Sequence, residues 1–435
     1  MDWSVILVGG LALLLAAFLT GLPIFVAFLA INVTGVLLII GTRGFGLIAN
    51  SIFETSTVVA FSAIPLFVLM GEVLNRSGSV ELLFSSMDKL IGRVRGRQYV
   101  LTVCLSVIFG ALSGAAMAVS AMMSRSLYPT MIARNYDRRL SIGAILAGAS
   151  LAPIIPPSVL VIIIATLADA SVAKLLIAGI LPGLCLALLF LIYIVVRVTL
   201  DRSLAPQESG ASIKSSTYEK FVAVGHMLPF SIIIFCVVGL ILLGIATPTE
   251  SAASGVVGAM LVSVINRRFS WTMFVEALGS AAFVTSMIIV IIASSNMFGQ
   301  LLAMTGATSK LVTYVIDGTT QPYVLLFLIL AIVFVLCMFI DQTAILLILV
   351  PLVKPVVTAL GFDPIWFWTL MLINVTLGGI TPPFGYTMFA FKGGAPEVPL
   401  SEIYGATWPF VGLFVLVMFL VFLVPGIATF LPSWL

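Results

Sequence analysis

Ala152-Pro153-Ile154-Ile155-Pro156-Pro157-Ser158 lies inside an apolar run over about 141–166, and Gly378-Gly379-Ile380-Thr381-Pro382-Pro383 lies inside a second run over about 366–391. A proline has no amide hydrogen to donate and its ring clashes with the preceding turn, so a tandem pair stops a helix. Each run therefore reads as a broken helix. Unwound backbone at membrane depth is tolerated only where protein or a water-filled cavity surrounds it, which places both breaks at the centre of the molecule.

The rest of the chain makes membrane the relevant solvent. Of 435 residues, 61% are hydrophobic and 9% charged, with mean hydropathy +1.27, whereas a soluble domain is roughly a quarter charged. A water-soluble fold is excluded. At about 20 apolar residues per span, the expectation is an all-α polytopic membrane protein forming one membrane domain. Ten spans are expected over about 4–20, 22–40, 50–75, 141–166, 173–197, 225–244, 249–266, 272–302, 366–391 and 402–424. Asp2 stands where a signal peptide would be basic, and the first apolar stretch outlasts a signal peptide, so it reads as a retained helix.

Two further apolar stretches, 99–128 and 322–353, are interrupted midway by Ser113-Gly114-Ala115-Ala116 and Asp341-Gln342-Thr343-Ala344. Arg93, Arg95 and Arg97 precede the first stretch; Arg134, Arg138 and Arg139 follow it. A simple crossing would put one basic cluster outside, against the positive-inside rule. A re-entrant helical hairpin with its tip at Leu112-Ser113-Gly114-Ala115 puts both inside. Carried along the chain, this orientation leaves only Arg43, Lys174, Lys310 and Lys354 of the 20 Lys and Arg outside, with Lys214 among those within. It places both termini, and the flanks of a second hairpin over about 322–353, on the periplasmic side.

The halves share punctuation. Pro129, Asp137, Pro156 and Pro157 correspond to Pro355, Asp363, Pro382 and Pro383 at a spacing of 226 (355 − 129, 363 − 137, 382 − 156). The expected repeats are 1–220 and 221–435. Five spans and one hairpin in each force the second copy to lie inverted, the recurring architecture of secondary transporters.

Freed carbonyls at half-helix C-termini suit sodium, and half-helix N-termini suit a carboxylate. An aspartate at membrane depth costs roughly 2.5–3.5 kcal/mol and is functional by default, so Asp341 is expected either to coordinate sodium or to bind a polar substrate group. Glu72, Asn75 and Glu250 read as helix-end residues. Cys104, Cys185, Cys236 and Cys337 stand alone, His226 is the single histidine, and no nucleophile–base pair, HExxH or P-loop appears. No enzyme or ATP-driven pump is supported, and a net charge of +3 gives no nucleic-acid partner.

Ala63-Ile64-Pro65-Leu66-Phe67 with Gly71-Glu72, Gly92 to Gly96, Phe109 to Gly114, Ile155 to Ser158, Thr247-Pro248-Thr249-Glu250, Asp341 to Ala344 and Thr381 to Pro383, in that order and spacing, resemble the large membrane subunit of tripartite ATP-independent periplasmic (TRAP) transporters. The resemblance covers essentially the whole chain. It implies an elevator fold and import of a small organic acid driven by sodium, with no bound cofactor. It also implies a small four-helix membrane subunit and a periplasmic substrate-binding protein as partners, within the lipid of a bacterial inner membrane. By position, sodium would be held by Ser113, Gly114, Pro153 and Pro156, and by Asp341, Gln342, Thr343, Gly378, Gly379 and Thr381. The substrate would lie near Ser158, Asp341 and Asn296. Two departures bear on this: Ala115 and Ala116 replace hydroxyl residues frequent at the first tip, and the region of Asn296 and Phe298 lacks the arginine of sialic-acid members. The alternative is a stand-alone sodium–dicarboxylate symporter needing no binding protein; Thr247 to Glu250 favours the TRAP reading.

Overall fold

The computed structural model describes residues 3–91, 94–206, 217–318 and 321–435, and the regular structure in it is helical throughout. Gly92, Arg93 and Lys214 lie outside the described residues. The first half runs α1 (Trp3–Leu19), α2 (Ile24–Ile39), α3 (Phe45–Thr57), α4 (Ala63–Arg76), α5 (Ser79–Leu90), α6 (Arg97–Ser113), α7 (Ala116–Ala133), α8 (Arg138–Ala149), α9 (Val159–Leu167), α10 (Val172–Ala178) and α11 (Ile180–Leu200). The second runs α12 (Thr217–Ile234), α13 (Leu240–Leu242), α14 (Pro248–Ile265), α15 (Trp271–Met304), α16 (Ala307–Gly318), α17 (Pro322–Cys337), α18 (Gln342–Ala359), α19 (Pro364–Gly378), α20 (Tyr386–Gly394), α21 (Leu400–Leu423) and α22 (Gly426–Thr429).

The two interrupted stretches are hairpins. Helices α6 and α7 are separated only by Gly114 and Ala115, and their far ends come back together: the Tyr99 and Tyr136 rings meet edge-on at 5.0 Å. Helices α17 and α18 flank a turn at 338–341, and Tyr323 and Phe362 close their far ends at 5.8 Å. Both proline runs are broken helices, unwound between α8 and α9 and between α19 and α20, with Pro156–Pro157 and Pro382–Pro383 in cis. Asp137 accepts the Leu140 amide at 2.8 Å and Asp363 the Trp366 amide at 2.8 Å. Each carboxylate thus caps the first arm of its broken helix.

Among the described residues, seven stretches are long and apolar enough to cross a membrane; α1, α2, α6, α17 and α19 are shorter apolar helices. The single span expected over 50–75 is divided. The Thr57 hydroxyl bonds the carbonyls of Phe53 (3.1 Å) and Glu54 (3.0 Å), that of Ser56 bonds Ile52 (2.7 Å), and the chain turns extended at Val58 before α4 begins. Hydroxyls so placed compete with the helical ladder. The short helices α5 and α16, absent from the span reading, each join a long helix to the first arm of a hairpin.

Contacts between the halves are reciprocal. Helix α4 packs on α14 as α2 packs on α15; α5 packs on α12 as α1 packs on α16; α7 packs on α20 as α9 packs on α18. Short side-chain bonds to backbone fasten these layers. Asn32 Nδ2 donates to the Ser294 carbonyl (2.7 Å), Ser51 Oγ to Ala293 (2.9 Å) and Ser120 Oγ to Thr387 (2.9 Å). Such bonds and small residues hold helices together where lipid removes the hydrophobic drive.

Because the ends of α6 and α7 meet, Val94 and Ala133 should face the same compartment. Single cysteines at these exposed positions, in a chain lacking its native cysteines, should both resist an impermeant thiol reagent added outside intact cells and both react after permeabilisation. Labelling of one alone would make the stretch a crossing.

Candidate functional site

Each hairpin tip sits on the broken helix of its own half. At the first junction the chain turns at Gly114, whose φ is +62°, and a Cβ there would lie 2.6 Å from the Pro157 carbonyl oxygen and 3.5 Å from Ser158 Cα. Only glycine permits both the left-handed backbone and that approach. Ser113 and Gly114 are therefore brought directly to the proline break. Ser113 spends its hydroxyl on the Phe109 carbonyl at 2.8 Å, and buried Ser158 Oγ accepts the Val161 amide at 3.3 Å, capping α9.

Residues 152–157 are all buried, and among the described residues none of their carbonyls accepts a hydrogen bond. Buried carbonyls are normally paired, so this cluster, which includes Pro153 and Pro156, is a set of uncommitted oxygen donors at the core.

At the second junction the Phe384 amide donates to the Met338 carbonyl at 3.1 Å, joining the α19–α20 break to the hairpin turn. Gly378 lies against Cys337 so closely that a Cβ would stand 3.1 Å from the Cys337 carbonyl carbon. Asp341 is half-buried; its Oδ1 accepts the amides of Thr343 (2.8 Å) and Ala344 (3.4 Å), so it caps α18. No Lys or Arg pairs with it among the described residues, leaving the helix N-terminus to balance its charge. Thr381 Oγ1 bonds the Leu377 carbonyl at 2.7 Å, and Gly379 O receives Thr387 Oγ1 at 2.8 Å. The carbonyls of Ile380, Thr381 and Pro382 accept no hydrogen bond among the described residues.

A cavity of about 320 Å³ opens beside Asp341, walled by Phe339, Ala344 and Phe384 and by Phe18, Leu19 and Gly21 of the α1–α2 turn. Tyr386 Oη and Gln342 Oε1 are buried, with the Gln342 side chain beside the phenol, and the Tyr386 ring lies over Gly379. Sequence reasoning missed Tyr386; its one signal was a phenol directly after Gly385 in an apolar run. Asn296 donates to Thr55 Oγ1 at 3.2 Å, between α15 and α3, and no hydrogen bond ties it to Ser158 or Asp341 among the described residues.

Residues 11–427 match the family described as tripartite ATP-independent periplasmic transporter, DctM component. The chain belongs to this family. It is 28% identical over 391 residues to the C4-dicarboxylate TRAP transporter large permease protein DctM of Pseudomonas aeruginosa, covering 89% of this chain and 90% of that one. It is 29% identical to the ectoine TRAP transporter large permease protein TeaC of Halomonas elongata, over 97% of each chain. It is 27% identical to the sialic acid TRAP transporter large permease protein SiaM of Vibrio cholerae, over 85% of this chain and 86% of that one. In fold it resembles the YdaH transporter of Alcanivorax borkumensis, with TM-score 0.62 over 91% of this chain and 89% of that one at 15% identity. As a DctM-family protein the chain is a large TRAP permease subunit, a transporter and not an enzyme, multi-pass in a bacterial inner membrane. The family implies a substrate-binding protein and a small membrane subunit as partners.

The Gly114 junction gives a stability test. Gly114→Ala should cost about 1–2 kcal/mol from the left-handed backbone alone, with a further penalty against Pro157, lowering the thermal midpoint in detergent. Gly405→Ala, with nothing within 4 Å of its new Cβ, should leave the midpoint unchanged or slightly raised. Equal midpoints for the two variants would remove the contact from the argument.

Proposed function

We propose that this chain carries a small organic acid across the membrane with sodium, accepting it from a periplasmic binding protein, and that its hairpins and broken helices move together as an elevator against a scaffold of the remaining spans. The observation that carries the reading is the buried 152–157 segment, whose carbonyls accept no hydrogen bond among the described residues, with that of Pro157 lying against the Gly114 tip. A hard monovalent cation is the ligand that such oxygens suit, and unwound midplane backbone is where secondary transporters bind it. One ion would sit among Ser113, Gly114, Pro153 and Pro156. The second would sit among Asp341, Gln342, Thr343, Gly378, Gly379 and Thr381, where the carbonyls of Ile380 to Pro382 add donors.

Substrate binds between the two junctions, near Ser158 and Asp341 with Asn296 at the scaffold side. The N-terminus of α9, capped by Ser158, offers positive dipole to a carboxylate. Cation neutralisation of Asp341 lets an anion approach it, which couples the two cargoes. Relatives named for C4-dicarboxylates and sialic acid support an acidic substrate.

Asp341→Asn is the direct test. The amide oxygen keeps the cap on Thr343 and Ala344 while the charge is removed, so the thermal midpoint should hold. Uptake into vesicles driven by an imposed sodium gradient, with the binding protein and small subunit present, should fall to background. Unchanged uptake with unchanged sodium dependence would refute the assignment.

A further inference from the structure

The far ends of the two hairpins differ in how they are closed. At the first, the segment after α11 fills the mouth: the Leu204 carbonyl accepts Tyr99 Oη at 2.7 Å and the Asp137 amide at 3.1 Å, and Arg95 Nη2 donates to the Arg202 carbonyl at 2.7 Å. At the second, the corresponding place is a cavity of about 420 Å³ lined by Tyr323, Phe362, Asp363, Trp366, Phe422 and Leu423.

Four rings follow one another around that cavity. Centroid separations are 5.8 Å for Tyr323–Phe362, 5.8 Å for Phe362–Trp366, 6.0 Å for Trp366–Phe422 and 5.8 Å for Phe422–Tyr323. The rings meet tilted or edge-on, so the cavity is bordered by aromatic carbon, and a cation seated over one of these faces within roughly 6 Å would be attracted by it. Asp363 adds a formal charge. Its Oδ1 caps α19, while Oδ2 accepts no hydrogen bond, and no Lys or Arg pairs with the carboxylate, among the described residues. An aromatic ring with one carboxylate at its edge is complementary to an ammonium group and offers no such partner to an uncharged glycerol headgroup.

The flank decides what carries the ammonium. Tyr323 is 57% exposed, Phe327 47%, Phe419 49% and Leu423 56%, so the cavity opens onto the apolar outer surface of α17 and α21. An occupant with acyl chains covers this surface and a soluble amine leaves it bare. We propose that this cavity binds the ammonium headgroup of a membrane phospholipid, whose chains lie along α17 and α21. The inference is independent of the ion and substrate assignments, because it concerns the opposite end of the hairpin and is read by lipid retention, without transport.

The full-length chain with its small membrane subunit, stripped of lipid in mild detergent, would be offered equimolar phosphatidylethanolamine and phosphatidylglycerol and examined by native mass spectrometry. The wild type should retain phosphatidylethanolamine about tenfold better. Asp363→Asn keeps the helix cap but not the charge, and should lose the preference at an unchanged thermal midpoint. Tyr323→Leu, an exposed position that opens the ring, should weaken it without affecting folding. Equal retention of both lipids by the wild type, or an intact preference in both variants, would overturn the site. Displacement of the lipid by millimolar soluble ethanolamine would assign the cavity to a free amine and overturn the lipid proposal.

Discussion

The constraint on which the structure depends is the stranded backbone of two proline-broken helices. Prolines at 153, 156 and 157, and at 382 and 383, take amides away from the ladder, and the carbonyls of buried residues 152–157 accept no hydrogen bond among the described residues. Hydrocarbon cannot face such backbone. The fold answers by laying a hairpin tip on each break, and the glycines at 114 and 378 let backbone meet backbone there. The reciprocal packing of α7 on α20 and α9 on α18 then draws the two junctions into one body.

That arrangement links architecture to chemistry. Backbone oxygens, helix N-termini and one capped aspartate supply the polarity, so the ions and anion of the proposed function would be held with few ionisable side chains. Asp341 illustrates the economy: one oxygen organises α18 and the carboxylate still faces a cavity shared with the α1–α2 turn. Removing its charge and removing its shape are therefore separable experiments.

Much of this was legible in the sequence because the signals are covalent or periodic. Tandem prolines announce the breaks, basic residues on both sides of one apolar stretch announce a hairpin, and Asp137 and Asp363 recur at the same spacing as the prolines, although their capping role emerged only from the structure. The division at Val58 was missed although Glu54-Thr55-Ser56-Thr57 interrupts the apolar run; Ser56 and Thr57 turn their hydroxyls on the preceding carbonyls there. Helices α5 and α16 were hidden because they are too short to register as spans. Tyr386 and the binding of Asn296 to Thr55 depend on tertiary approach between distant segments, which no local pattern encodes.

The central claim is that the hairpins and breaks travel as a unit past the scaffold. Gly299 of α15 touches the second hairpin, and a Cβ on it would lie 3.1 Å from Pro351 Cβ, a few tenths of an ångström short of the usual Cβ separation of a disulfide. With Cys104, Cys185, Cys236 and Cys337 replaced, cysteines at 299 and 351 would be oxidised and sodium-driven uptake compared before oxidation, after it, and after reduction. The account predicts that the crosslinked protein stops transporting and that reduction restores uptake. Full uptake by protein shown to be crosslinked would contradict it.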